Sequence, residues 1–298
     1  MDEQLRGMTV PLVTPFTASL AVDWRAFDAH VERMLAAGVT ALLPGDLVGE
    51  GWALDTDERL ALVQRTVELA GSRAIVIAKV METSLPAAAR FARAARARGA
   101  HAVKLILPSE ARVTPALEEY VGATGPDSGG PFLVETDGGS LPLALIDRLA
   151  AQPEFVGIEE TSLDLDRFDL LVERYGQQAK VIAGSEDALG FTLLLDAAGF
   201  MTATPNFAPA FMRALWQAGS RGDARETLER YRRLRRYRRL FQAELRAGLP
   251  MFASYTKAAL ELLGHPVGSP RPPLRRLTDA ERDTLREILG AEFGLELA

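Results

Sequence analysis

Short apolar runs alternate along the chain with longer stretches in which apolar positions recur at intervals of three and four. The runs predict buried strands and the stretches predict amphipathic helices. Strands are expected over 8–13, 39–43, 74–80, 102–107, from Phe132, from Phe155, over 180–183 and over 200–203. Between them, helices are expected over 24–37 behind an Asp23 cap, from a Thr56 cap to about 70, over 85–98, from Thr114, over 141–150, over 164–175 and from Glu186. Strand followed by helix, about eight times over, implies a parallel sheet, because parallel neighbours need a helical crossover. Eight such units close naturally into a (β/α)8 TIM barrel. A doubly wound open sheet is the alternative, but no G-x-G-x-x-G turn follows the first strand. After Phe207 helix succeeds helix, over 223–246, 249–263 and 278–289. The expected organisation is therefore a barrel over 1–220 and a C-terminal all-helical extension over 221–298.

Two of the expected strands end in acid. Phe155-Val156-Gly157-Ile158 runs into Glu159 and Glu160, and Phe132-Leu133-Val134 runs into Glu135. Neighbours in a strand point to opposite faces, so one of Glu159 and Glu160 goes inward and the other outward. If these two strands are adjacent, two carboxylates meet at the end of a buried sheet.

Of the 298 residues, 48% are hydrophobic and 25% charged, which suits a globular protein with a large core. No stretch is long and charge-free enough to span a bilayer, and MDEQLRGMTV does not read as a signal peptide, so a cytoplasmic location is expected. Cysteine is absent, which removes disulfides, thiolate metal sites and a cysteine nucleophile. A net charge of −6 argues against a nucleic-acid partner. The densest basic run, RYRRLRRYRRL over 230–240, carries Tyr231, Leu234 and Tyr237 at helical spacing. It reads as a solvated or subunit-facing amphipathic helix, with an RNA- or membrane-binding stripe as the alternative. Only four residues are lysine: Lys79, Lys104, Lys180 and Lys257.

Several collinear segments resemble the dihydrodipicolinate synthase/N-acetylneuraminate lyase family. They begin with Gly7, Val13-Thr14-Pro15-Phe16, Gly49-Glu50, Leu54 and Glu58-Arg59. Gly184-Ser185-Glu186-Asp187 and Phe200-Met201-Thr202-Ala203-Thr204-Pro205-Asn206 follow, then Lys257 to Gly264, Gly268-Ser269-Pro270-Arg271-Pro272-Pro273-Leu274 and Leu277-Thr278. The resemblance covers nearly the whole chain. It implies the barrel with its helical extension, a small-molecule substrate or ligand, no cofactor, and a homo-oligomer, dimer or tetramer. It also implies lyase chemistry of the class I aldolase type, in which a sixth-strand lysine forms an imine with a 2-oxo acid. At the matching position this sequence has Glu159, and a carboxylate cannot form an imine. Glu135 and Glu110 stand where the family has tyrosines, Leu47 and Val48 where it has paired threonines, and Asp46 where it has glycine. The arginine that follows the fifth strand in the family has no counterpart in 137–141.

Active sites of such barrels lie at the carboxyl ends of the strands. Glu135 and Glu159, about 5 Å apart on adjacent strands, cannot both ionise freely unless a cation intervenes. They could share a proton as an acid–base pair, be compensated by Lys79 or Lys104, or bind Mg²⁺ or Mn²⁺. No histidine supports the metal option: His101 starts the fourth strand at the opposite end, His30 is in the first helix and His265 in the C-terminal part. Asp46 would repel a substrate carboxylate, Leu47 and Val48 remove hydroxyl donors, and Glu110 and Thr202 complete the candidate substrate contacts. Glu50 and Glu160 match acidic family positions and read as framework. The leading expectation is a divergent lyase acting on a small carbonyl or hydroxy-acid substrate through Glu159 and Glu135. A catalytically silent ligand- or partner-binding relative is one alternative. An oxo-acid aldolase using a relocated Lys79 or Lys104 is the other.

Overall fold

The computed structural model describes residues 1, 3–106, 115–125, 128–136 and 141–298. Eight strands form a closed parallel barrel: β1 (Gly7–Pro11), β2 (Ala41–Leu43), β3 (Ile75–Val80), β4 (Ala102–Ile106), β5 (Phe132–Thr136), β6 (Phe155–Glu160), β7 (Lys180–Ala183) and β8 (Gly199–Met201). They pair in chain order, and β8 returns to β1. The helices between and after them are α1 (Trp24–Ala36), α2 (Thr56–Ala70), α3 (Leu85–Ala97), α4 (Pro115–Thr124), α5 (Leu143–Ala150), α6 (Leu165–Tyr175), α7 (Leu189–Leu194) and α8 (Pro209–Ser220). The C-terminal helical part is α9 (Ala224–Arg238), α10 (Gln242–Arg246), α11 (Phe252–Leu262) and α12 (Asp279–Phe293). Of these, α9 packs on α7, α8 and α12.

The strand pleat separates two apolar layers. Ala41, Leu43, Ile75, Ile77, Ala102, Leu133, Ile182 and Met201 fill the barrel interior, while Val76, Ala78, Val103, Val134 and Ile158 join the layer under the helices. The period of two then sets the inward positions higher up the barrel. Beyond Ile77 the next inward position is Lys79, beyond Ala102 it is Lys104, beyond Leu133 it is Glu135, and beyond Gly157 it is Glu159. Register brings them together, with Lys79 opposite Lys104 and Glu135 opposite Glu159. Glu160 faces outward, where Arg167 Nε donates to it at 3.0 Å and the Ser162 backbone N–H at 2.9 Å.

Several helix boundaries differ from those read in the sequence, four of them with a local cause. Asp55, not Thr56, caps α2: its extended backbone lets the carboxylate accept from Glu58 N while Glu58 accepts from Asp55 N. The helix expected over 223–246 breaks after Arg238 into a 3-10 turn, Arg239–Phe241, before α10. The next begins at Phe252 rather than 249, after Gly248 at φ +80° and Pro250. The seventh begins at Leu189, since Glu186 is engaged instead as acceptor for the Thr204 backbone N–H at 3.0 Å. The start expected at Thr114 lies outside the described residues.

Candidate active site

Five charged side chains interlock at the carboxyl end of the barrel. Lys79 Nζ lies 2.7 Å from Asp46 Oδ1 and 2.7 Å from Glu135 Oε2. Lys104 Nζ reaches Asp46 Oδ2 at 3.1 Å, Glu135 Oε2 at 3.0 Å and Glu159 Oε2 at 2.5 Å. All five are buried. Three carboxyl groups against two ammonium groups leave the cluster one positive charge short, and the deficit settles on one acid. Burial opposes ionisation of Asp46, yet Lys104 and Lys79 overcome it and hold its carboxyl below the ordinary range. The same balance lowers the pKa of Glu135. For Glu159 burial wins, assisted by the charges of Glu135 and Asp46, and its pKa rises to about 7. Burial also works against protonation of both lysines, but the acids outweigh it, and both pKa values go up. With Glu159 protonated the cluster is neutral.

Above the cluster opens a cavity of about 410 Å³. Asp46, Leu47, Val48, Lys79, Lys104, Glu135, Glu159 and Thr202 all line it. Asp46 Oδ1 also accepts from the Leu47 backbone N–H at 2.6 Å, so the carboxylate fills the place where that loop could bind an anion. The Thr202 hydroxyl is buried and has no hydrogen-bond partner among the described residues. Glu110 lies outside the described residues. Among those described, no group of three or more His, Cys, Asp or Glu is arranged to hold a metal ion.

The model of the dihydrodipicolinate synthetase family matches residues 4–292. The chain is 31% identical over 304 residues to a 4-hydroxy-tetrahydrodipicolinate synthase of Anaeromyxobacter sp. (strain Fw109-5), covering 99% of each chain. The chain belongs to the dihydrodipicolinate synthetase family. The corresponding synthase of Sorangium cellulosum (strain So ce56) is also 31% identical, over 96% of this chain and 95% of that one. In fold, the crystal structure of dihydrodipicolinate synthase from Bacillus clausii superposes with a TM-score of 0.88 at 24% identity, covering 97% of this chain and 98% of the other.

Within this dihydrodipicolinate synthetase family frame, the C-terminal helical part supplies a wall that the sequence pattern did not predict. Arg238, the last residue of α9, lines the cavity and approaches Asp187 Oδ1 at 3.3 Å and Glu186 Oε2 at 3.6 Å. Arg235 also pairs with Asp187. Leu245 and Phe252 line the same side. Thus Arg238, within the basic run, is buried against the cavity rather than solvated. The available signal was spacing: Thr227, Tyr231, Leu234 and Arg238 form one buried stripe, so Arg238 puts a cation on the apolar face.

Gly184, after β7, makes room for Glu159. A Cβ there would lie 2.8 Å from Glu159 Oε1 and 2.7 Å from Thr161 Cγ2. Lys180 begins β7 at the far end of the strand, and Lys257 is paired with Glu50 at 2.5 Å. Neither lines the cavity.

Proposed function

We propose that this family member is a lyase that transfers protons by carboxyl chemistry, without an imine at the sixth strand. Glu159 is the proton-transferring group, Asp46 and Glu135 are fixed carboxylates, and Lys79 and Lys104 are permanent cations. One observation carries the reading: the inward position at the end of β6 is a carboxyl group beside a cavity, hydrogen-bonded to a lysine that three acids keep charged. Imine formation needs a neutral amine, and the acids favour the opposite state of both lysines. This weighs against a relocated Lys79 or Lys104 as nucleophile.

In the proposed step a carbonyl compound loses an α-proton to the ionised Glu159. The electron pair of that C–H bond forms the C=C bond of an enolate, the carbonyl π pair moves onto oxygen, and an ammonium nearby stabilises the growing charge. Lys79 suits this role, since among the described residues only two carboxylates contact it and an ammonium has three N–H bonds. Leu47 and Val48 present an apolar wall, and Asp46 already occupies the Leu47 N–H. The substrate end that meets this wall is therefore uncharged, which favours hydroxylated carbonyl compounds over 2-oxo acids.

Exchange of α-protons of hydroxyacetone and dihydroxyacetone in D2O, followed by NMR, tests the reading. The wild-type chain should catalyse exchange, with a rate that climbs as the pH passes about 7 because the ionised acid is the base. Glu159→Gln should slow it by at least about 100-fold and remove the climb. Undiminished exchange in the variant contradicts the proposal. The mutual pairing of all five charges favours a second reading, a silent ligand-binding relative. Wild-type protein without exchange, yet with a cooperative thermal shift on adding these ligands, would select it.

A further inference from the structure

A second cleft, of about 580 Å³, lies on the flank of the barrel between α1 and the segment 264–268 after α11. Its charged wall is mostly cationic, with Arg25 and Arg33 from α1, and His265 of the following segment lines it as well. Asp23 also lines it, but its carboxylate is engaged in capping α1, accepting from Ala26 N at 3.0 Å. Phe16, Ala26, Ala29 and Val267 supply apolar surface.

Arg33 is the unusual member. It is half-buried, and among the described residues no carboxylate pairs with it. Its donors go to neutral acceptors, His30 Nδ1 at 2.5 Å and the Asn206 carbonyl at 2.9 Å, and its buried Nε has no partner. Guanidinium groups withdrawn from water are ordinarily matched by acids, as Arg59 is by Glu82 and Arg271 by Glu58 in this same molecule. His30 cannot share the burden as an anion would. Its Nδ1 accepts from Arg33, so its Nε2 carries the hydrogen and donates to Asn206 Oδ1 at 2.8 Å. Burial and then Arg33 push the His30 pKa down to about 3, and the same two causes lower that of His265. Positive potential therefore accumulates around Arg33 and Arg25, and the one carboxylate among the described residues lining the cleft, Asp23, is turned to the α1 N-terminus.

We propose that this cleft binds a small organic oxyanion, with its charged head between Arg33 and Arg25 and a compact apolar body against Phe16 and Val267. The site is independent of the acid–base reading of the barrel mouth. The two are nevertheless close in structure. Asn206 Nδ2 donates to the Pro11 carbonyl at 2.9 Å, and Pro11 lines the cavity above the charged cluster.

Calorimetric titration of the full chain with inorganic phosphate and, separately, with benzoate at constant ionic strength tests the site. The His265 ring resonances are followed by NMR in the same samples. At least one probe should saturate in the millimolar range or tighter. The His265 resonances should follow the same isotherm and its pKa should rise. Arg33→Gln should weaken binding by about tenfold or more, and Arg25→Gln, at an exposed position, by about threefold. Phosphate alone binding would identify a phosphate head, and benzoate alone a carboxylate. Absence of saturation with both probes overturns the proposal, as does binding that leaves His265 unmoved or is unchanged in Arg25→Gln. If Arg33→Gln fails to fold, Arg25→Gln decides.

Discussion

A carboxyl group that keeps its proton near neutrality needs burial and a shortage of cations. Position 159 offers both, since three acids compete for two ammonium groups inside the barrel mouth. Its geometry depends on a neighbour with no side chain. In Gly184→Ala the new methyl group would press on Glu159 and Thr161, so the carboxyl must move. Overpacking of this kind costs about 1–3 kcal/mol, and a shift of about 1 Å at a reacting group can cost about 100-fold in rate. The expected outcome is folded protein with a modestly lowered melting temperature and α-proton exchange reduced at least tenfold, measured by calorimetry and NMR. Exchange at the wild-type rate would show that the position of Glu159 does not matter.

At this scale the sequence was informative about placement and silent about energetics. The adjacency of Glu135 and Glu159 and the upward position of both lysines follow from period-two alternation in runs that are otherwise apolar. That Asp46 sits between both lysines could not be read, because a loop residue has no periodicity to fix its direction. The structure places its carboxylate inside the site, in contact with both ammonium groups and the Leu47 backbone N–H.

Among elements, a buried ion pair and one arginine add polar ties between barrel and C-terminal helices to the packing of α9 on α7 and α8. Lys257, in α11, meets Glu50 at 2.5 Å, and Arg271 reaches Glu58 at 2.6 Å while its backbone N–H donates to Glu50 at 2.7 Å. Lys257 and Glu50 are almost wholly buried, so removing one leaves the other charge without compensation. Lys257→Met should destabilise the chain by about 3–5 kcal/mol, and adding Glu50→Gln should recover part of that loss. Urea unfolding of the two variants checks this. A double variant no more stable than the single one would contradict it. The alternation of strands and helices was legible because burial on both sheet faces and on one helix face leaves distinct patterns. The break after Arg238 was not, because the composition of 223–246 favours a helix throughout and packing on α7, α8 and α12 decides where it ends. The place of Arg238 on the buried stripe of α9 was legible from spacing, but not that this stripe ends at the cavity.

Across the whole molecule, four lysine side chains are the available amines apart from the chain terminus. Two stand in the charged cluster, one starts β7 at the far end and one is locked to Glu50. β6 itself contains no lysine, and the acids around the two cavity amines favour their charged state. Among the described residues no helix is long and apolar enough to cross a membrane. The most direct test of the central claim is reductive trapping: incubation with pyruvate and sodium borohydride followed by intact-protein mass spectrometry. The account predicts an unchanged mass. A stable adduct mapped to Lys79 or Lys104 would contradict it.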